Sequence, residues 1–296
     1  MSKDPIPQST PEEAVALALN EQGYLFQHKI AQILHAPRGD GEFSHQWYVE
    51  AEEVPVSLPN GAETRIDIVL HHGPQAGSPW RVVLECKRSA RDFKRWVFFG
   101  EADRRRGPSR HNYYVEFADL NGSWNHEGEP PMMHGVKNHS ASQDCLAFDY
   151  GIEVKVEWRR SGKKASATEA IEDAFQQVTL GQAGLALRLR NAHELTFRLL
   201  PVVVTIAELL SADFSVDRVS LDRGMIEPTD LSLKPRRWLA VNYHVNDGIC
   251  KRSKITTNRT TDLAADLAAR QVRTLFVVQA AHVQQFLAWL EESFRC

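Results

Sequence analysis

The sequence predicts an α/β protein with a mixed central β-sheet flanked by helices, and three features predict it. Apolar residues recur at helical spacing in three segments, at 11–34, 171–185 and 283–294. Three closely spaced segments are typical of the strands of an antiparallel meander, at 47–56, 64–71 and 80–87. A further strand is expected at 199–206, where nearly every residue is apolar, as in a strand inside a sheet.

Capping residues mark the expected helix starts. Thr10 and Glu13 fit a capping box, in which each side chain bonds the backbone amide of the other at a helix N-terminus. Gly23 is expected to separate this helix from a second one. The apolar face of that second helix carries Phe26, Ile30, Ile33 and Leu34. Ser166 and Glu169 fit another capping box, which predicts the start of a third helix. Its apolar positions are Ile171, Ala174, Phe175, Val178 and Leu185.

The chain is predicted to consist of a core and an extension. Residues 10–210 form the core, interrupted by an insertion at about 96–165 that is poor in regular patterns and contains a Gly-, Asn-, Pro- and His-rich loop. Residues 211–296 form a C-terminal α/β extension that packs on the core, with strands at 238–245 and 272–278 and a last helix. This extension either lengthens the central sheet or forms a small appended unit.

The composition is that of an ordinary globular protein, with 43% hydrophobic residues in a chain of 296. No stretch approaches the roughly 20 apolar residues of a membrane-spanning helix, and no signal peptide is expected. The cysteines at 86, 145, 250 and 296 form no CxxC pair, which favours a reducing, cytoplasmic compartment. The chain has neither a P-loop nor a nucleophile elbow, so nucleotide hydrolysis and serine-hydrolase chemistry are not expected.

Three polar residues of the second and third predicted strands, Asp67, Glu85 and Lys87, form a candidate site. Residues two apart on a strand lie on the same face, about 7 Å from each other. Glu85 and Lys87 are therefore expected to project together, with Asp67 beside Glu85 if the two strands pair as a hairpin. The opposite, core-facing sides of the two strands are expected to carry Ile66, Ile68 and Leu70, and Val82, Leu84 and Cys86.

These residue types suit the hydrolysis of a phosphodiester. Two carboxylates that converge at a sheet edge offer the hard oxygen donors that Mg²⁺ and Mn²⁺ prefer. Such an ion polarises a phosphoryl oxygen and lowers the pKa of a bound water. The adjacent ammonium of Lys87 would orient that water or offset developing negative charge.

Asp67, followed after residues 68–84 by Glu85-Cys86-Lys87, resembles the D-x(n)-E-x-K signature of the PD-(D/E)XK nucleases, the restriction-endonuclease-like superfamily. The resemblance implies a restriction-endonuclease-like sheet, Mg²⁺ or Mn²⁺ held by Asp67 and Glu85, and cleavage of DNA assisted by Lys87. The setting that it implies is prokaryotic restriction, antiphage defence or repair. Partners would then be DNA, a second copy of the chain in a homo-oligomer, or accessory defence-system proteins.

The resemblance extends from residue 10 to about residue 206 and points to two further site residues. Gln27 stands at a position of the first helical region where members often have a metal-binding carboxylate, and it would coordinate through its amide. Glu13 and Glu21 are the alternatives for that role. Gln177 lies on the predicted helix after the E-x-K strand, where many members place a glutamine, and it would position water or backbone.

A basic cluster follows the E-x-K strand. Its residues are Arg88, Arg91, Lys94, Arg95, Arg104, Arg105 and Arg106. Because the net charge of the whole chain is only -3, a DNA-binding signal has to come from such local clustering. The cluster is expected to flank a groove and contact phosphates. The alternative is an ordinary solvated surface.

Two other functions fit the same residues. A catalytically degenerate nuclease fold would bind DNA or a partner without cutting, and the glutamine at position 27 favours this alternative. An RNA nuclease is the other alternative, because the same metal chemistry hydrolyses either nucleic acid.

Overall fold

A computed structural model describes residues 10–21, 23–36, 46–58, 61–72, 79–88, 95–101, 111–120, 132–141, 147–159, 162–168, 170–192, 196–245 and 272–294. The α-helices in these ranges are α1 (Pro11–Glu21), α2 (Tyr24–His35), α3 (Ala170–Asn191) and α4 (Val283–Phe294). The strands are β1 (Trp47–Ser57), β2 (Glu63–His72), β3 (Trp80–Lys87), β4 (Arg95–Glu101), β5 (His111–Leu120), β6 (Met132–Ala141), β7 (Ala147–Arg159), β8 (Gly162–Thr168), β9 (Phe197–Thr205), β10 (Glu208–Asp213), β11 (Ser232–Arg236), β12 (Trp238–His244) and β13 (Val272–Gln279). No helix within these ranges is long and apolar enough to cross a membrane.

The described strands join one hydrogen-bonded sheet. Its main path runs β1-β2-β3-β9-β13-β12-β7-β4-β10-β11, while β5 pairs with β9 and β6, and β8 pairs with β7. The first three strands form the expected antiparallel meander. By contrast, β9 runs parallel to both of its neighbours on this path, β3 and β13. The prediction of an α/β protein with a mixed sheet flanked by helices is therefore confirmed.

Helices cover both faces of the sheet around β3. On the first face, Ile30 of α2 and Phe286 of α4 join an apolar cluster that includes Leu84 of β3. On the second face, Phe175 of α3 joins a separate cluster that includes Val83. Leu84 and Val83 are 1% and 0% exposed, and full burial of such a side chain stabilises the fold by about 1.5–3 kcal/mol. Successive residues of β3 thus pack under helices on opposite faces and fix the position of the strand end that follows.

The predicted helix starts give one correct and one wrong result. At α1, the Glu13 N–H donates to Thr10 Oγ1 at 3.2 Å and the Thr10 N–H donates to Glu13 Oε2 at 2.9 Å, which confirms the first capping box. The second capping box is wrong, because Ser166 pairs with Lys155 in the β7–β8 ladder and α3 begins at Ala170. The short polar residues that cap helices also tolerate strand ends, and here the cross-strand ladder decides between the two.

Gly23 separates α1 from α2 as expected. Its φ of 65° lies in the left-handed region, which glycine adopts without a steric penalty, and α2 begins at the next residue, Tyr24. The predicted apolar face of α2 is confirmed, since Ile30 and Leu34 are buried and Phe26 packs against the same cluster.

The regions predicted as an insertion and as a C-terminal extension both add strands to this sheet. β4 and β7 pair with each other, and β7 also runs parallel to β12. The strands β4, β5, β6, β8, β10 and β11 were not predicted from the sequence. After Ser211, β13 lies between β9 and β12, and α4 packs on the first face. The strands β12 and β13 of the C-terminal segment are thus hydrogen-bonded within the same sheet as β1, β2 and β3.

Candidate active site

Three neighbouring strands each place one carboxylate at the same level of the sheet. In the β1–β2 ladder, the residues on either side of Glu53 pair with those on either side of Asp67, so these two acids lie opposite each other. In the β2–β3 ladder, Ile68 pairs with Leu84, and the next step of the same register brings Asp67 beside Glu85. The sequence predicted the second relationship and missed the first.

The regular alternation of β2 breaks at Asp67. Ile68 and Leu70 belong to the cluster on the first face, whereas Ile66 belongs to the cluster on the second. The prediction that Ile66 shares a face with Ile68 and Leu70 is therefore wrong. Glu53, on the opposite side of the ladder, has a φ of 52°, the only positive value at a non-glycine residue in the described ranges. A left-handed residue interrupts the two-residue repeat of a strand and costs about 1–2 kcal/mol at a residue with a Cβ atom.

The backbone of β3 orients the carboxylate of Asp67. Its Oδ2 accepts a hydrogen bond of 2.7 Å from the backbone N–H of Cys86. Burial raises the pKa of Asp67 from 3.8 to about 6, although the bond from Cys86 lowers it, and the nearby charge of Glu53 raises it further. The carboxylate is therefore fixed in direction, but its negative charge is incompletely compensated.

Glu85 has the same property to a greater degree. Burial raises its pKa from 4.5 to about 8, and the charge of Asp67 is the next largest cause. The ammonium of Lys87 lowers this pKa without cancelling the other effects. Burial and mutual repulsion thus disfavour the ionised pair, and a cation bound beside the two carboxylates would stabilise it.

Lys87 and Gln177 meet on the second face of the sheet. The ammonium of Lys87 donates a hydrogen bond of 3.1 Å to Gln177 Oε1. Gln177 lies on the exposed side of α3, while the next residue, Val178, is buried under the helix. Lys87 and Gln177, which were predicted as site residues from separate parts of the sequence, are therefore in direct contact.

A second polar network approaches Asp67 from α2. Gln27 is only 9% exposed, and its amide donates to Glu53 Oε1 and, at 3.4 Å, to the backbone oxygen of Asp67. The other oxygen of Glu53 accepts a bond of 2.7 Å from Arg65. The sequence placed Gln27 at the site but missed Glu53. The signal for Glu53 was an acid in the first strand at the level of Asp67, which becomes visible only when the β1–β2 register is known.

The described residues include two members of the predicted basic cluster. Arg88 follows β3 directly and is half-buried. Arg95 begins β4 and forms an ion pair of 3.0 Å with Glu208. The partner of Arg95, Glu208, comes three residues after Thr205, and Thr205 is in register with Lys87. Because the Cα atoms of Thr205 and Glu208 are at most about 11 Å apart, this ion pair lies near the end of β3 that carries Lys87. The other members lie outside the described residues: Arg91, Lys94, Arg104, Arg105 and Arg106.

The donor chemistry of Asp67 and Glu85 fits a Mg²⁺ or Mn²⁺ ion. Among the residues whose positions are described, no three or more His, Cys, Asp or Glu side chains form a metal-binding group. The donors at hand are the two carboxylates of Asp67 and Glu85, because the carboxylate of Glu53 is held between Gln27 and Arg65. Mg²⁺ is commonly held by one or two carboxylates, with waters and substrate phosphate as its other ligands. The pair therefore fits an open site of this kind.

Comparison of the chain with protein-family models, with curated proteins and with solved structures gave no match.

Proposed function

We propose that this chain is a divalent-metal-dependent nuclease with a restriction-endonuclease-like core that hydrolyses phosphodiester bonds in DNA. The observation that carries the proposal is the convergence of Asp67, Glu85 and Lys87 at the end of β3, with Gln177 bonded to the lysine. Carboxylates whose negative charge is incompletely compensated favour the binding of a cation. An ammonium next to them favours the binding of an anionic substrate.

Asp67 and Glu85 would hold the Mg²⁺ or Mn²⁺ ion through their carboxylate oxygens. When bound, the ion would supply a Lewis acid that polarises a phosphoryl oxygen and lowers the pKa of a water. The N–H of Cys86 orients Asp67 for this role before any ion arrives. Binding of the ion would also offset the burial and the repulsion from Asp67 that together raise the pKa of Glu85.

Lys87 would act on the phosphate and on the attacking water. Its Nζ would stay protonated, and the positive charge would stabilise negative charge on the phosphate oxygens. Gln177 Oε1 accepts a hydrogen bond from Nζ and thereby limits the directions in which the flexible lysine can point. Pre-orientation of this kind lowers the cost of reaching the reactive arrangement.

DNA is the proposed substrate because the D-x(n)-E-x-K order resembles that of DNA-cleaving enzymes. The proposed setting is prokaryotic restriction, antiphage defence or repair. Arg88, at the end of β3, is the member of the basic cluster placed directly after Lys87, where it would contact a neighbouring phosphate. Such a contact would add affinity without reading the base sequence.

A cleavage screen tests the proposal. Supercoiled plasmid, linear duplex, single-stranded DNA and RNA are incubated with the chain in Mg²⁺, Mn²⁺ or EDTA. We expect metal-dependent cleavage of DNA that is lost in Asp67→Ala and Glu85→Ala and retained in Glu63→Ala, which removes an exposed acid at the start of β2. Circular dichroism confirms that each variant is folded. Preferential cleavage of RNA would replace DNA with RNA as the substrate, and wild-type rates in Asp67→Ala would contradict the proposed site.

One observation favours a second candidate, a nuclease-like fold that binds DNA without cutting it. Gln27 is neutral and donates to Glu53, so α2 contributes an amide rather than an acid to the neighbourhood of Asp67. The same screen separates the two candidates. DNA binding measured by fluorescence anisotropy in EDTA, together with no cleavage in Mg²⁺ or Mn²⁺, would support the binding module.

A further inference from the structure

Glu53 occupies an unusual position for a surface acid of a strand. It lies opposite Asp67 in the β1–β2 ladder and adopts left-handed backbone, with a φ of 52°. Glycine tolerates that conformation, whereas glutamate adopts it only where surrounding contacts hold it there. The contacts that hold it come from two elements, Gln27 of α2 and Arg65 of β2.

We infer that Glu53 is a positioning residue for the Asp67–Glu85 pair, and that its charged side chain strengthens the binding of a divalent cation by that pair. The inference rests on the proposed function, since it concerns the same site. It adds a residue that neither the D-x(n)-E-x-K order nor the spacing along the chain indicates.

Glu53 is connected to Asp67 through hydrogen bonds to common neighbours. The amide of Gln27 donates both to the carboxylate of Glu53 and to the backbone oxygen of Asp67, so the side chain of Glu53 and the backbone of Asp67 share one buried donor. Arg65 bonds the other oxygen of Glu53 from two residues before Asp67 on the same strand. Glu53 therefore joins α2, β1 and β2 at the level where the alternation of β2 breaks. Removal of its acceptors would leave the amide of Gln27 with a weaker set of partners inside the protein.

The negative charge of Glu53 also acts on Asp67 and Glu85. Glu53 is close enough to raise the pKa values of both Asp67 and Glu85. It therefore adds to the negative potential at the place where the cation would bind. Arg65 offsets this only in part, because the side chain of Arg65 is 61% exposed and water screens its charge.

The test compares charge and contact separately. Glu53→Gln keeps the size of the side chain and removes the charge, whereas Gln27→Met keeps the charge and removes the anchor. The double change Gln27→Glu/Glu53→Gln exchanges acid and amide across the same hydrogen bond. Glu52→Gln is the matched control, because Glu52 is the neighbouring acid of β1 and bonds His35 instead. Mn²⁺ affinity is measured on each protein by titration calorimetry without nucleic acid, and unfolding is followed in parallel.

We expect Mn²⁺ to bind Glu53→Gln about tenfold more weakly than wild type, the size expected for loss of one nearby, partly screened charge. Gln27→Met should also bind more weakly, the double change should recover most of the affinity, and Glu52→Gln should match wild type. At saturating Mn²⁺, cleavage by Glu53→Gln should return to within about threefold of wild type, because a positioning residue does not touch the reacting atoms. Asp67→Ala should show no such recovery.

The outcomes distinguish this inference from the proposed function. If wild type binds Mn²⁺ and cuts DNA, and whichever of Glu53→Gln and Gln27→Met remains folded has unchanged Mn²⁺ affinity, the inference is overturned and the proposed function stands. If wild type neither binds Mn²⁺ nor cuts nucleic acid, the proposed function fails and the inference fails with it. Persistent loss of cleavage by Glu53→Gln at saturating Mn²⁺ would make Glu53 a catalytic residue and overturn its positioning role.

Discussion

The ammonium of Lys87 and the amide oxygen of Gln177 are 3.1 Å apart, so the end of β3 is tied to the exposed side of α3. This contact depends on how closely the helix approaches the sheet. A Cβ atom at Gly181, one turn along α3 from Gln177, would meet Ile66 Cγ1 at 2.9 Å. The absence of a side chain at Gly181 lets α3 lie low enough over β2 and β3 for Gln177 to reach the lysine.

Lys87→Ala is expected to slow metal-dependent cleavage by about 10²-fold or more, because the site loses the group that stabilises charge on the phosphate. Gln177→Ala is expected to slow it by roughly tenfold, since it removes only the orientation of the lysine. Initial rates on supercoiled plasmid give both values. Lys29→Ala is the matched control, because Lys29 also donates to a glutamine, Gln32, at 2.9 Å, but on the exposed side of α2. A Lys87→Ala protein as fast as Lys29→Ala would exclude the proposed role of Lys87.

Divalent metal is expected to raise the unfolding temperature of the wild-type chain. A ligand that binds only the folded state adds about 2.7 kcal/mol to the free energy of unfolding at a concentration of 100 times its Kd. Mn²⁺ is added in steps and unfolding is followed by scanning fluorimetry. The shift should disappear in Asp67→Ala and Glu85→Ala and persist in Glu63→Ala. An equal shift in wild type and in Asp67→Ala would place the ion elsewhere in the protein.

Without metal, the free energy of unfolding is expected to fall as pH rises from about 4.5 to about 8. The pKa of Glu85 is about 8 in the folded chain against an ordinary 4.5, so the folded state keeps a proton that the unfolded state has lost. The stabilisation from this proton is fully present below 4.5 and is lost as pH passes through 8. Each unit of difference corresponds to about 1.4 kcal/mol for an isolated group.

The Glu85→Gln variant isolates this effect from other titrations. Glutamine stays neutral at every pH, so the variant should gain stability relative to wild type as pH rises, reaching a few kcal/mol above pH 8. Urea unfolding in EDTA at pH 5 and at pH 8.5 measures the difference. A difference that is the same at the two pH values would mean that Glu85 does not carry a raised pKa.

The features that the sequence predicted correctly depend on residues close together in the chain. The capping box of Thr10 and Glu13 spans one helical turn, and the antiparallel meander follows from short connections between alternating strands. Asp67 and Glu85 were expected to be neighbours for the same reason. The contact between Lys87 and Gln177 is different, since only the resemblance to a known superfamily connected these two positions.

The features that the sequence missed depend on pairing between distant segments. The interruption of alternation at Asp67 accompanies left-handed backbone at Glu53, a conformation that no pattern of residue types announces for a glutamate. Ser166 fits a helix cap by type, yet the β7–β8 ladder makes it part of a strand. The insertion of β13 between β9 and β12 likewise follows from packing of the whole sheet and has no local signal.

Gly184→Ala is expected to destabilise the protein although alanine is the better helix former by about 1 kcal/mol. A Cβ atom at Gly184 would lie 2.5 Å from Cγ2 and 2.8 Å from Cβ of Val56, a side chain that is 3% exposed and has little room to move. Overpacking of this kind costs about 1–3 kcal/mol, so we expect a net loss of stability in urea unfolding. Because α3 also carries Gln177, displacement of the helix should weaken the contact between Gln177 and Lys87 and slow cleavage.

Combining Gly184→Ala with Val56→Ala relieves the clash, so the double variant should be more stable than the sum of the two single effects predicts. Strict additivity would show that α3 and β1 are not in close contact at Gly184.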